Sequence, residues 1–250
     1  MAYFSSILEI KELFKTEASA RGLKGVLGIA PFRGVYEALL PIQQRLLGEL
    51  AGERLDRLME EGSVICLAYA FPEYVIDSIA VETGDGFDME KWNVYAQEYD
   101  RLNSALDATA ERIAEAVWGF AIPATPEVEV EIRKSEDYYP IAVSHRVAAE
   151  QSGIGWRGRN ELIVNPTHSC AIRLASVITE LPLERTPPLE GGCRDCRDCL
   201  NACPILANRE KFDNYRDHCL GYMESLGLGR KVCGKCVKAC VKSSIFHHDR

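Results

Sequence analysis

Eight of the ten cysteines in this 250-residue chain fall within its last sixty residues, in an order that restricts what that segment can become. The series reads Cys193-x2-Cys196-x2-Cys199-x3-Cys203-Pro204, then an isolated Cys219, then Cys233-x2-Cys236-x3-Cys240. Its first part is the run used by bacterial ferredoxins, in which the fourth cysteine ligates the other of two iron–sulfur clusters. Two-residue gaps let a tight loop wrap three corners of a [4Fe-4S] cube. The three-residue gap turns Cys203 away from that cube, and Pro204 stops local helix. The second motif supplies a pair of its own and one outward cysteine. The ligand count closes if Cys193, Cys196, Cys199 and Cys240 hold one cluster and Cys203, Cys219, Cys233 and Cys236 hold the other. Zinc prefers two separated pairs of cysteine or histidine, which this run does not offer. Without a secretory segment, such a cysteine run reads as metal binding rather than as disulfides.

A chain of 250 residues can hold one sizeable core and a small appended unit. No apolar run approaches the roughly 20 residues of a membrane span. The N-terminus carries neither a signal-peptide order nor a twin arginine. A cytoplasmic, reducing location without membrane attachment is therefore expected. The net charge of −8 is uneven: residues 191–250 hold 11 Lys and Arg against 7 Asp and Glu, so the other 190 residues carry −12. The basic segment is suited to offsetting anionic cubes. A large nucleic-acid footprint would need a clustered basic face, and the acidic body argues against one.

The rest of the chain alternates helical and strand patterns. Ser6-Ile-Leu-Glu9 is a capping-box signal, followed by Ile10, Leu13 and Phe14 at helical spacing and a stop at Gly22. A short strand over 24–30, helix over 35–61, a buried apolar strand over 63–71 and a long helix over 92–118 are expected next. A half-exposed strand over 127–133, a helix over 140–152, and strands near 161–164 and 171–179 follow. This alternation predicts an α/β sandwich with a mixed sheet. The segment 180–192, with three prolines and two glycines, marks the boundary between a domain at 1–180 and a cluster domain at 181–250.

Between the last predicted helix and the strands, Gly153, Gly155 and Gly158 fall within six positions around Trp156. Glycine allows close approach of backbone to a ligand. A helix stop and tight turn, with Trp156 in the core, accounts for the residues equally well. At this point the chain resembles the epoxyqueuosine reductase family and, more distantly, the reductive dehalogenases. The similar pieces are Gly28-Ile-Ala-Pro31, Ser63-Val-Ile65, Tyr95-Ala-Gln-Glu-Tyr-Asp100, Arg146 with Gly153-Ile-Gly-Trp-Arg-Gly-Arg-Asn160, and the whole cysteine series. The resemblance implies a nitroreductase-like, cobalamin-binding α/β domain followed by a small ferredoxin-like domain with two [4Fe-4S] clusters. It assigns Arg146, Gly153, Ile154, Gly155, Trp156, Gly158 and Asn160 to the cofactor, cobalamin first and a flavin second. It also implies a proton donor ahead of the helix. Register alone leaves Tyr139 or Asp137 in that place, with Tyr138 adjacent. Tyrosine, with a pKa of about 10, is already protonated at neutral pH, whereas an aspartate near 3.9 must be raised about 3 units. Arg157 and Arg159 are candidates for contacts to the cofactor's phosphate or amide groups. Cys66 and Cys170 read as structural, His145 as a partly exposed helix histidine that could also donate to substrate or cofactor, and His247 and His248 as exposed tail residues.

The expected function is a cobalamin-dependent iron–sulfur oxidoreductase, with electrons relayed through two clusters to a bound corrinoid and then to an organic substrate. The expected partners are a low-potential donor such as ferredoxin or flavodoxin and a small-molecule substrate. The family's helical repeats that help hold tRNA have no counterpart after Cys240, ten residues from the last residue, which puts tRNA in doubt. Two alternatives are an electron-transfer or corrinoid-reducing module for a partner protein, and a minimal tRNA epoxyqueuosine reductase.

Overall fold

A helix leaves backbone N–H groups open at its start, and three α-helices among the described residues open on a side chain that accepts from one of them. A computed structural model describes residues 6–125 and 133–243. The first helix, α1 (Ile7–Ala20), opens on a complete capping box between Ser6 and Glu9. The chain then enters strand β1 (Gly25–Pro31). The predicted helical stretch over 35–61 is cut into α2 (Phe32–Ala38), α3 (Pro41–Ala51), a 3-10 turn at Gly52–Arg54, and α4 (Leu55–Glu61). The first break has a local cause: Leu40 precedes Pro41 and is pushed to extended backbone, with ψ 148°.

Strand β2 (Ser63–Ala70) is buried at every position. Helix α5 (Glu73–Ser78) and a ribbon of β3 (Glu82–Thr83) and β4 (Gly86–Phe87) lead to the 28-residue α6 (Met89–Ala116), capped by Asp88. Strand β5 (Phe120–Ile122) follows. The strand expected over 127–133 lies outside the described residues apart from position 133, as do His247 and His248. The helix expected over 140–152 is shorter: a 3-10 turn at Ser135–Tyr138 comes first, and α7 spans His145–Gln151. Between them the Ala142 carbonyl accepts from Gln43 Nε2 at 2.8 Å, which anchors the segment to α3. A second ribbon, β6 (Trp156–Arg157) with β7 (Ile163–Val164), precedes β8 (Ile172–Thr179).

The main sheet has the order β1-β2-β8-β5, and every pairing is antiparallel. The expected mixed sheet is thus corrected. The reason is visible at the first crossover: Pro31 and Ser63 are register partners, and Phe32 N–H donates to the Gly62 carbonyl at 2.8 Å. The helical excursion α2–α4 leaves and returns at the same end of the sheet, so β2 runs back along β1. Helices cover both faces. Ile65, Leu67, Tyr69, Ala175 and Val177 pack with α1 and α6, while Val64, Cys66, Ala68 and Ile178 pack with α2, α4 and α7. Burial on both sides explains why β2 reads as one continuous apolar run.

After Thr179 the chain runs without regular elements to Arg197, then forms the short helices α8 (Asp198–Ala202), α9 (Pro204–Ala207), α10 (Tyr215–Ser225) and α11 (Lys235–Val241). This segment shares a core with the sheet layer. Cys233, Val237 and Cys240 are buried with α6, and Trp92 Nε1 donates to the Cys233 carbonyl at 2.6 Å.

Candidate redox site

Ten free thiols are present and none is paired as a disulfide. Cys199 lies within electrostatic reach of Cys240, Cys193 and Cys196, and burial first, then these neighbours, pushes its thiol up to about 11. Cys219 lies within reach of Cys233 and Cys203, and burial pushes it up to about 11. Cys236 faces Cys233, Cys203 and Cys219, and is driven upward mainly by burial. The two groups adjoin, because Cys199, Cys203 and Cys236 pack together around Leu200 and Leu206. Thiols gathered so densely resist ionisation as protein alone. A cationic iron centre reverses that logic by binding the thiolates. Among the described residues, no three of His, Cys, Asp and Glu converge as a single-ion site. A cubane holds its four thiolates farther apart than one ion does. The chemistry of the donor set therefore fits two cubes.

The glycine–tryptophan segment sits between this region and the sheet layer. A Cβ on Gly155 would lie 2.3 Å from the Val164 carbonyl oxygen, and one on Gly153, at φ +69°, would lie 2.2 Å from the Pro187 carbonyl. These glycines permit close approach of protein backbone, which is the turn reading of the segment. Ile154 is fully in the core. Trp156 stacks under Gly191, two residues before Cys193, and its indole N–H is buried without a partner. Asn160 is buried; its amide donates to Cys170 Sγ at 3.4 Å and its carbonyl oxygen accepts from Leu162 N–H at 3.2 Å. Arg146 donates to the Glu161 carbonyl at 2.9 Å, and burial beside Arg216 and Arg157 pushes its guanidinium down to about 10. A half-buried cation with no carboxylate bonded to it among the described residues suits an anionic or carbonyl-rich group. The orphaned Trp156 N–H and the Arg146 guanidinium are thus compatible with a polar cofactor against this segment.

Arg157 is committed to ion pairs with Glu150 and Glu161. Arg159 donates to the Arg194 carbonyl at 2.6 Å, and Arg209 donates to the Arg159 carbonyl at 2.7 Å, which ties the loop to the cysteine run. Beside this tie, Arg159, Arg197, Arg209 and Lys211 line a cleft of about 410 Å³.

The segment ahead of α7 docks on the cysteine-bearing side. Ser135 N–H donates to Asp217 Oδ1 at 2.7 Å, and Asn214 Nδ2 donates to Ser135 Oγ at 2.9 Å. Asp137 accepts from the backbone N–H groups of Arg133 and Lys134 at 2.9 and 2.8 Å, and these bonds hold its carboxyl below the usual range. Burial pushes the Tyr138 phenol up, although its ring is 40% exposed. Tyr139 is half-buried next to it. His145 is held by Ser176 Oγ at 2.9 Å and the Pro123 carbonyl at 2.7 Å. The carbonyl can only accept, so Nε2 carries the hydrogen and Nδ1 accepts from the hydroxyl. Burial pushes its pKa down to about 4 despite the Pro123 carbonyl, so the ring is neutral. Cys66 is a core thiol pushed up to about 12 by burial. Cys170, read from sequence as a structural thiol, is buried, and its thiol is pushed up with Cys240 and Cys236 within electrostatic reach. Nothing in its spacing announces this neighbourhood, because Cys170 and Cys240 are seventy positions apart.

No family model matches the chain. Curated proteins do. The epoxyqueuosine reductase of Staphylococcus aureus is 25% identical over 194 residues, covering 72% of this chain and 48% of that protein. That of Listeria monocytogenes is 27% identical over 166 residues, covering 65% and 38%. That of Bacillus subtilis is 40% identical over 65 residues, covering 26% and 17%. The chain thus spans about half the length, or less, of the curated relatives it matches. Among solved structures, a selenomethionine-labelled epoxyqueuosine reductase aligns with a TM-score of 0.55 at 20% identity over 97% of this chain and 67% of that one. The Streptococcus thermophilus epoxyqueuosine reductase gives 0.51 at 16% identity over 96% and 66%. The sequence-based expectation of a small-molecule substrate, with tRNA in doubt, is corrected by these relatives. They are named for epoxyqueuosine, a substrate class the sequence-based expectation did not put first. The chain is thus similar in sequence to curated epoxyqueuosine reductases and shares the fold of a solved one over nearly its whole length.

Proposed function

We propose that this chain is a cobalamin-dependent iron–sulfur reductase acting on epoxyqueuosine in tRNA. The observation that carries the reading is the gathering of eight thiols into two adjoining groups against the sheet layer. In this reading residues 181–250 hold two [4Fe-4S] clusters, through Cys193, Cys196, Cys199 and Cys240 and through Cys203, Cys219, Cys233 and Cys236. Residues 1–180 supply the nitroreductase-like half that receives the corrinoid. When bound, the clusters and the corrinoid supply electron storage and low-potential reduction; the protein supplies binding, orientation and electrostatics.

The chain's own residues have distinct tasks. Arg146 and the Trp156 indole N–H offer donors to polar groups of the corrinoid. Tyr139, with Tyr138 beside it, holds a proton at its phenolic oxygen for the substrate. Asp137 is kept ionised by two backbone N–H groups and is the poorer donor in this structure. The cleft of Arg159, Arg197, Arg209 and Lys211 offers positive charge to tRNA phosphates, a contact that positions without specifying sequence.

The test is anaerobic reconstitution with iron and sulfide, then titration with cobalamin, then reaction of an epoxyqueuosine-bearing tRNA stem loop with dithionite as reductant. The expected result is about eight iron atoms per chain, following the ligand arithmetic of two cubes, a cobalamin absorbance change and conversion of epoxyqueuosine to queuosine. Eight iron atoms with no response to cobalamin would favour the second reading, a relay module that passes electrons to a partner. One observation supports that reading: protein backbone fills the Cβ space of Gly153 and Gly155. Iron that fails to bind would overturn both.

A further inference from the structure

Helix α11 ends on a hydroxyl that meets the first cysteine run. Ser243 follows Cys240 by three residues, and its N–H donates to the Cys240 carbonyl at 3.2 Å, which carries the chain one turn past the helix end. The residue is only 1% exposed. Its Oγ lies 3.0 Å from Cys196 Sγ, a hydrogen bond that spans 47 positions of sequence. A buried hydroxyl without a partner would carry a full desolvation cost, so this bond is what makes a serine tolerable at that point.

Which atom donates depends on the state of the sulfur. In the free thiol either atom can. A sulfur bound to iron is a thiolate with no proton, so there the Ser243 hydroxyl donates and the Cys196 sulfur accepts. A bond to an ionised acceptor is stronger than a neutral one. Both sides of the contact are fixed. Cys196 N–H donates to the Cys193 carbonyl at 2.9 Å, which holds the ligand loop, and Lys238 Nζ ties α11 to the Ile79 carbonyl at 2.6 Å. The two ends of α11 also divide by cluster. Cys236 in its first turn belongs to one ligand set, whereas Cys240 and Ser243 sit at its other end. The Ser243 bond places that end beside Cys196, which shares a ligand set with Cys240.

We propose that Ser243 donates a hydrogen bond to the sulfur of the cluster ligand Cys196 and raises the reduction potential of the cluster held by Cys193, Cys196, Cys199 and Cys240. It acts through Cys196 and is a positioning residue, not an iron ligand. The physical basis is charge: reduction adds an electron to an already anionic cluster, and a donor aimed at a ligand sulfur stabilises the more negative state. Ser243 bonds a ligand of one cluster, so it sets the potential of that cluster against the other. The inference rests on the two-cluster reading above.

The test is potentiometric titration of the anaerobically reconstituted full chain, with each cluster followed by its electron paramagnetic resonance signal. Ser243→Ala is expected to keep wild-type iron content. One of the two signals is expected to move to lower potential by about a factor of ten in the reduction equilibrium, about 59 mV for one electron. The second signal is expected to stay in place, and Ser243→Thr, which keeps a hydroxyl, is expected to hold the first near its wild-type potential. Unmoved potentials in Ser243→Ala, with iron intact, would overturn the inference and leave the function standing. Loss of about half the iron in Ser243→Ala would also overturn it, because the hydroxyl would then serve to hold the site together. An equal shift of both signals would overturn it as well, since the effect would not pass through Cys196. A wild-type chain that binds no iron would overturn the two-cluster reading itself.

Discussion

The sheet layer and the cysteine-bearing segment are held together by different forces. In the sheet layer, β2 is buried on both faces, and side chains such as Ile65, Leu67, Tyr69 and Trp92 are almost wholly excluded from solvent. Its stability comes from apolar area removed from water. After residue 192 the helices run from 4 to 11 residues, and much of their buried interior is cysteine. Helices that short are marginal without tertiary support. The contrast implies that one region folds on hydrophobic burial while the other waits for its metal, although Trp92 and Cys233 stitch them into one core.

The strongest way to break that contrast is to strip iron from the reconstituted chain with a chelator. Residues 193–243 are expected to lose their amide hydrogen-exchange protection while β1, β2 and β8 keep theirs. Equal protection in both states would mean that packing alone holds the cysteine segment. Leu67→Ala is expected to do the reverse, destabilising the sheet layer by about 2–5 kcal/mol, as read from anaerobic denaturant unfolding, with iron still binding in native buffer.

The segment at Ser135–Tyr139 belongs by sequence to the sheet layer but docks on α10. Tyr139→Phe is expected to lower turnover of epoxyqueuosine about a hundredfold, with the affinity for the tRNA stem loop unchanged. Asp137→Asn is expected to reduce activity less, through the loosened turn. A larger effect from Asp137 than from Tyr139 would reassign the proton donor.

His145 offers a pH test of the sheet layer alone. Its folded pKa lies near 4, below the 6.5 of an unfolded histidine. The unfolded chain therefore binds the proton first as pH falls. Stability from this residue is full above about 6.5 and is lost progressively between about 6.5 and 4, on the order of 2–3 kcal/mol. His145→Gln is expected to flatten unfolding free energy over that window, measured on the metal-free chain so that cluster loss does not intrude. The smallest effect is expected from Arg230→Ala, which removes an exposed ion pair to Asp100 between the two regions and should change stability by about 0.5 kcal/mol or less.

Legibility in the sequence followed the range of the interaction. The capping box at Ser6 and Glu9, the apolar run of β2 and the extent of α6 are set by neighbours within a few positions. The break before Pro41 is equally local, with Leu40 held extended by the proline that follows, but a helical reading over 35–61 runs across it. The direction of the sheet strands was not legible, since alternating strands and helices suit parallel and antiparallel sheets alike. Asp137 illustrates the same limit at the site: its residue type allows a proton donor, but two backbone N–H groups make it a turn carboxylate.

Taken by itself, the order of residues determined that eight cysteines come in ferredoxin-like spacings, because loop geometry around a metal depends on gaps of two and three residues. Only the tertiary structure decided which thiols adjoin and that the strands run antiparallel. It alone packed Cys236 of α11 against Cys199 and Cys203 of the earlier run. Those contacts join positions far apart in the chain, and packing of the whole core, not local pattern, selects among them.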